Sequence, residues 1–159
     1  MTLKRMMPKI LNNDITKLIT KYLSIREHSK LELINKLSKK GFVLDEINTT
    51  IDEFSLKNIQ SDVRFTEEFL RSRLKKNKGP RLISSELINR GISESLVTSK
   101  IAEVPVDTWK NHAHIALTKK LKSAHLTIED EDKIYSFLMG RGFDHKMIKY
   151  AIDEYKNEC

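Results

Sequence analysis

Three glycine turns recur on a period of about fifty residues, and that period limits what this chain can become. Gly41-Phe42, Gly91-Ile92 and Gly142-Phe143 stand 50 and 51 residues apart. Four residues before each glycine is Leu37, Leu87 or Leu138, and eight before is Leu33, Ile83 or Ile134. Ten residues after each is Ile51, Ile101 or Ile152. Apolar residues at three- and four-residue spacing mark helices that bury one face. A glycine just past such a run marks a left-handed C-terminal turn. Each segment therefore reads as helix, helix, glycine turn, helix, a unit too small to bury a good core alone. Period-two alternation is absent, so no strand is expected. The predicted fold is all-α, an elongated array of three tandem three-helix repeats over 14–54, 62–104 and 107–157. A basic N-terminal arm, 1–13, precedes them as a loose segment or a short extra helix.

Helix punctuation agrees with that division. Ser29 with Glu32, and Thr127 with Asp130, have the spacing of capping boxes for the middle helices of repeats one and three. Ser93 and Asp144 are expected to cap third helices. Val43 offers no cap at the equivalent place, which predicts a frayed start or one shifted to Asp45. Asp14 and Asp107 are expected to begin the opening helices of repeats one and three.

The most informative stretch is Ser61 to Ile92. Asp62 is expected to cap a helix whose apolar stripe is Phe65, Phe69, Leu70 and Leu74. Lys78-Gly79-Pro80 breaks it, and Pro80 suits the first position of a second helix, where its missing N–H is not needed. That helix carries Leu82, Ile83, Leu87 and Ile88. Between Phe69 and Ser85 stand Arg71, Arg73, Lys75, Lys76, Lys78 and Arg81, with no acid among them. The net charge of +7 is uneven: residues 1–21 and 64–104 each carry +4, whereas 105–159 balance. A second acid-free run, Thr108 to Ile128, holds Lys110, Lys119, Lys120 and Lys122. A basic face of this kind attracts nucleic acid or acidic protein surface.

Other chemistries are not supported. The one cysteine, Cys159, excludes a disulfide within the chain and any zinc constellation. No apolar run resembles a signal peptide or a membrane span, so the expected compartment is the cytoplasm. His112 and His114, two apart on a helix, face different sides and share no metal, and the five histidines read as surface or capping residues. Glu129 to Asp132 fall in a first helical turn, where acids oppose the helix dipole favourably. None of the five glycines has phosphate-loop or dinucleotide spacing. No catalytic residue, metal or cofactor is predicted, and the chain reads as non-enzymatic. Phe42, Phe54, Phe65, Phe69 and Phe143 read as core residues rather than base-stacking platforms, and Trp109 as packed between repeats. Residues 44–54, a third helix, carry four acids and no cation, which argues against third helices reading a DNA groove.

The central stretch also resembles a known family. Its D-x-R-F-x-E-x-x-x-R-S-R, G-P turn and I-x-x-E-L-x-x-R-G-I are carried by Asp62, Arg64, Phe65, Glu67, Arg71, Ser72, Arg73, Gly79, Pro80, Ile83, Glu86, Leu87, Arg90, Gly91 and Ile92. This order is similar to the central block of the RecX family, bacterial regulators of the RecA recombinase. Arg26 to Phe42 resembles that family's first repeat, and the two blocks span about a third of the chain. Val43 and the connector Lys57-Asn58-Ile59-Gln60, which lacks the family's usual glycine-leucine, depart from the pattern. The resemblance implies a monomeric regulator that lies along the RecA–single-stranded DNA filament and dampens recombinase activity in recombination, repair and the SOS response. The contacts it implies are Arg71, Arg73, Lys75, Lys76, Lys78 and Arg81, extended by Lys119, Lys120 and Lys122. Arg26 and Arg64 match the pattern but read equally well as intramolecular partners of Glu27 or a neighbouring glutamate. The alternative is a sequence-tolerant protein that binds single- or double-stranded DNA, or RNA, directly.

Overall fold

Each repeat reverses direction at its glycine because only glycine adopts positive φ without strain. Gly41, Gly91 and Gly142 have φ of +92°, +83° and +100°. The computed structural model describes residues 3–158, with side chains from Asn13 onward. Its helices are α1 (Leu3–Ile25), α2 (Lys30–Lys39), α3 (Leu44–Leu56), α4 (Asp62–Lys75), α5 (Pro80–Asn89), α6 (Glu94–Ala102), α7 (Val106–Ser123), α8 (Glu131–Gly140) and α9 (His145–Glu158). No strand occurs among the described residues, and the helices form three tandem three-helix repeats. None is long and apolar enough to cross a membrane.

Two compact units result. Among the described residues the first is 3–68 with 90–92, and the second is 69–89 with 93–158. In the first, Ile15 and Ile19 of α1 pack with Leu33 and Leu37 of α2 and with Ile47, Ile51 and Phe54 of α3. Each such buried side chain is worth about 1.5–3 kcal/mol relative to exposure. In the second, Ile83, Leu87, Val97, Leu117, Leu121, Ile134, Leu138, Phe143 and Ile148 are buried, as is Trp109 of α7. Leu37, Leu87 and Leu138 have no solvent exposure, so the repeated leucine does the same work under all three turns.

The same junction is made twice. In the first unit, the Ser29 hydroxyl at the start of α2 donates to the Arg90 carbonyl at 2.7 Å. In the second, the Gly79 amide just before α5 donates to the Arg141 carbonyl at 2.7 Å, and the Arg81 amide to the Gly142 carbonyl at 2.9 Å. Ser29 and Gly79 each lie twelve residues before their own repeat's glycine. The acceptors for Ser29 and Gly79 belong to the residue preceding the next repeat's glycine, and the acceptor for Arg81 to that glycine itself. The N-terminus of a middle helix thus receives the following glycine turn. Contact is close: a Cβ on Gly91 would lie 2.5 Å from Leu31 Cβ, and one on Gly79 would lie 2.3 Å from the Gly142 carbonyl carbon.

The capping expectations are met at three places. Ser29 and Glu32 form a full capping box, Ser93 caps α6 through the Leu96 amide at 3.3 Å, and Asp144 accepts from the Met147 amide at 2.9 Å. Val43 precedes α3 without a side-chain cap.

Several expectations need correction. Asp14 lies inside α1, not at its start, because α1 already runs from Leu3; residues 1–2 of the basic arm lie outside the described residues. Pro105 precedes α7, leaving Asp107 in its first turn. Thr127 and Asp130 form a separate turn, Asp130 accepting from the Thr127 amide at 2.9 Å, and α8 begins after it. Ser61, not Asp62, caps α4 by accepting from the Arg64 amide at 3.1 Å. Asp62 instead accepts from the first amide of α2, Lys30, at 2.9 Å and from the Gln60 side chain at 2.9 Å. Ile88 is 48% exposed; five residues past Ile83, it is rotated about 140° from the buried stripe.

Candidate binding surface

The acid-free cations lie in the second unit, where the structure gives them unequal roles. Arg71, Lys75, Lys76 and Arg81 are exposed, and Lys78 is half-buried. Arg73 differs. Its Nε donates to Glu86 Oε2 at 2.8 Å, and its guanidinium lies 4.1 Å from the Phe69 ring centre. It ties α4 to α5, a role its sequence neighbours do not share.

The turn between α4 and α5 is held in one shape. Asn77 takes a left-handed φ of +55°, conformations that asparagine tolerates better than most residues. The Asn77 amide donates to the Leu74 carbonyl at 2.9 Å and the Lys78 amide to the Arg73 carbonyl at 3.1 Å. Arg141, from the end of α8, completes the lock. Its Nε donates to the Asn77 carbonyl at 3.3 Å, and its Nη2 donates to the Lys76 carbonyl. Burial lowers the pKa of Arg141, yet a guanidinium is effectively always protonated. A cation here also opposes the negative end of the α4 dipole.

This lock sets Lys76 beside the basic half of α7. Lys76, Asn77, Ala116, Lys119, Lys120, Ser123, Phe137 and Arg141 line one groove of about 350 Å³. Four of these eight are cations and none is an acid. Phe137 forms part of the wall, with Lys120 Nζ 4.8 Å and Arg141 Cζ 5.7 Å from its ring centre. Each such cation–ring contact is worth about 0.5–1 kcal/mol at an exposed site. Lys122 is exposed but does not line the groove. The structure thus joins Lys76 to Lys119 and Lys120, 43 and 44 residues away in sequence, and adds Arg141 and Phe137. Sequence reading missed both; the repeat alignment of Arg141-Gly142 with Arg90-Gly91 was the available signal.

Arg26 and Arg64 belong to the first unit and are paired within it. Arg26 bonds both Glu32 carboxylate oxygens, at 3.0 and 2.9 Å. Arg64 Nε donates to Glu27 Oε1 at 2.8 Å, and its other nitrogens reach Asn58 Oδ1 and the Ile59 carbonyl, each at 3.0 Å. The histidines also depart from expectation. His28 is only 1% exposed, with Nδ1 3.0 Å from the Arg26 carbonyl and Nε2 2.8 Å from Lys36 Nζ. Since an ammonium only donates, His28 is neutral with its proton on Nδ1. Burial lowers its pKa first, with Arg26 and Lys36 adding to the effect. His112 is half-buried and likewise lowered by burial. His114 pairs with Glu158 at 3.1 Å and His145 with the Tyr135 hydroxyl at 2.9 Å.

Tandem three-helix repeats joined glycine turn to helix N-terminus, with an acid-free basic groove in the second unit, define a helical-repeat protein. Family comparison makes this specific. Residues 20–54 match the model for the first three-helix domain of RecX, and residues 61–99 match that for the second. The regulatory protein RecX of Legionella pneumophila (strain Corby) is 36% identical over 136 residues, covering 85% of this chain and 90% of that protein. The regulatory protein RecX of Chromohalobacter salexigens is 33% identical over 130 residues, 82% of this chain and 85% of that one. The chain belongs to the RecX family. Its fold is similar to the crystal structure of RecX from Lactobacillus salivarius, with a TM-score of 0.79 and 19% identity over 92% of this chain and 97% of that one. A crystal structure of regulatory protein RecX gives a TM-score of 0.81 at 16% identity, covering 90% of this chain and 73% of that one.

Proposed function

We propose that this protein is a cytoplasmic regulator that binds the RecA–single-stranded DNA filament as a monomer and restrains its recombinase activity. Family membership supports this reading, since its relatives carry the name regulatory protein RecX. The observation that supports the choice of contact is the set of exposed cations in the second unit, whose groove holds four cations and no acid. Arg71, Lys75, Lys76, Lys78 and Arg81 point it at a negative partner, and Lys119, Lys120 and Lys122 extend it. The role is binding without turnover: occupying the filament hinders its extension and its ATPase.

The test is the RecA ATPase on single-stranded DNA, with and without this protein. The quadruple charge reversal Arg71→Glu, Lys75→Glu, Lys76→Glu and Lys78→Glu should keep the fold and abolish inhibition. A reversed protein that inhibits as well as the original refutes the chosen surface. Equal affinity for bare and RecA-coated strands, with equal salt dependence, favours direct nucleic-acid binding instead.

A further inference from the structure

Helix α3 presents an outward face that nothing among the described residues answers. It carries four acids and no cation, in a chain of net charge +7. Asp45, Asp52 and Glu53 are exposed, and none of the three has an ion pair among the described residues. Two of them are also badly placed for the helix. Its C-terminal end carries partial negative charge, which cations stabilise and carboxylates destabilise. The third helices α6 and α9 hold Lys100 and Lys156 in that last turn, whereas α3 holds no cation there. Asp52 and Glu53 stand at this end instead, with Lys57, the C-cap residue, a single cation against the two. Acids kept for solubility alone would sit better in the first turn, where Asp45 and Glu46 already are. Beside these carboxylates Leu44 is exposed and Leu56 is 87% exposed. Asp52 and Leu56, four residues apart, share one side of the helix.

The complementary chemistry belongs to the second unit. Arg71, Lys75 and Arg81 are exposed and have no carboxylate partner among the described residues. Arg81 and the exposed Ile88, seven residues apart, share one side of α5. Thus α3 sets acids beside an exposed leucine, and α5 sets a cation beside an exposed isoleucine. We propose that α3 is a docking face for a second copy of this chain, which seats Arg71, Lys75 and Arg81 against Asp52 and Glu53, and Ile88 against Leu56. The two copies use different surfaces, so the contact is heterologous. Opposite charge sets its orientation, and like-charge repulsion disfavours α3 against α3. Under the proposed function, a second copy and the filament compete for the same cations, so self-association covers the contact surface of the free protein.

Sedimentation equilibrium of the full-length protein alone tests this at about 0.01 M and about 1 M salt, where charges are screened over about 30 Å and about 3 Å. At low salt the weight-average mass should climb with protein concentration from the 18.5 kDa of one chain toward twice that value. At high salt it should fall back toward one chain. The double variant Asp52→Lys, Glu53→Lys should abolish the rise. It should stay folded, because the helix dipole favours lysine at those positions, and circular dichroism checks this. The triple variant Arg71→Glu, Lys75→Glu, Arg81→Glu should abolish the rise as well. Mixing the two variants should restore it, since the lysines placed on α3 of one then face the glutamates of the other. An original protein that stays at the mass of one chain at low salt overturns the proposal, and so does a folded mixture that fails to associate. Fluorescent oligolysine that binds the original but not the α3 variant, with the mass unchanged, would assign the face to another basic partner and also overturn it. The measurement contains neither RecA nor nucleic acid, so its failure is distinct from failure of the proposed function, which the RecA ATPase reads.

Discussion

Alanine at the three turn glycines separates backbone strain from collision within one protein. All three have φ between +83° and +100°, so each alanine forces a side chain into a region that costs about 1 kcal/mol. At Gly41 that is the whole cost, because a Cβ there meets nothing within 4 Å. At Gly142 the new Cβ would lie 2.5 Å from both Leu82 N and Leu82 Cβ and 2.9 Å from the Gly79 carbonyl oxygen. Two of those atoms are backbone and cannot swing away. The turn must lift from the start of α5, which strains the bonds from Gly79 and Arg81 to the Arg141 and Gly142 carbonyls. Overpacking of this kind adds about 1–3 kcal/mol. Gly41→Ala should therefore cost about 1 kcal/mol and Gly142→Ala about 2–4 kcal/mol, with roughly 2–4 °C of melting temperature lost per kcal/mol at this chain length. Urea and thermal denaturation followed by helical circular dichroism measure both. If the two variants fall within about half a kcal/mol of each other, the junction does not bear on stability and the argument fails.

Three further outcomes follow from named contacts. Adding Arg73→Glu to the quadruple reversal should lower stability measurably, because Glu86 then faces a carboxylate in a half-buried position; the quadruple variant alone should shift it by only a few tenths of a kcal/mol per site. Asp62→Ala should cost about 1 kcal/mol in urea denaturation, the usual loss on removing a side-chain helix cap, although the helix it caps is α2, across the repeat from its own. Stability should also fall as the solution is acidified. His28 and His112 have lowered pKa values in the folded chain, so the unfolded chain binds protons first as the pH drops below about 6.5, the ordinary histidine value. Their contribution is fully present above that value and is lost as the pH falls toward the folded-state values. Around His28 burial is the main cause, the charges of Lys36 on α2 and Arg26 in the connector add to it, Glu32 on α2 opposes it, and the Tyr22 ring of α1 lies 5.9 Å away between ring centres. Urea midpoints at pH 7.5 and 5.5 should differ less in His28→Gln than in the original protein.

The fold class was legible because its evidence is periodic. Leu37, Leu87 and Leu138 and the three glycines recur at fixed spacing, and Ser29, Ser93 and Asp144 each cap an amide three residues on, so local spacing records both directly. The basic stretch was legible for the same reason, as an absence of acids along a short run. What the tertiary structure alone decided is how each group is used. Asp62 and Ser61 both have the chemistry of a cap, and only the approach of Lys30 assigns Asp62 to a different helix. Arg73 is indistinguishable from Arg71 until α5 brings Glu86 to it. His28 looks like a surface residue until Lys36 and the Arg26 carbonyl enclose it. The groove itself exists because the Arg141 side chain and the Gly142 carbonyl meet the α4–α5 turn from more than sixty residues away. Long-range pairings of this sort leave no period in a sequence, since either partner's residue type is compatible with many neighbours and only the packed chain selects one.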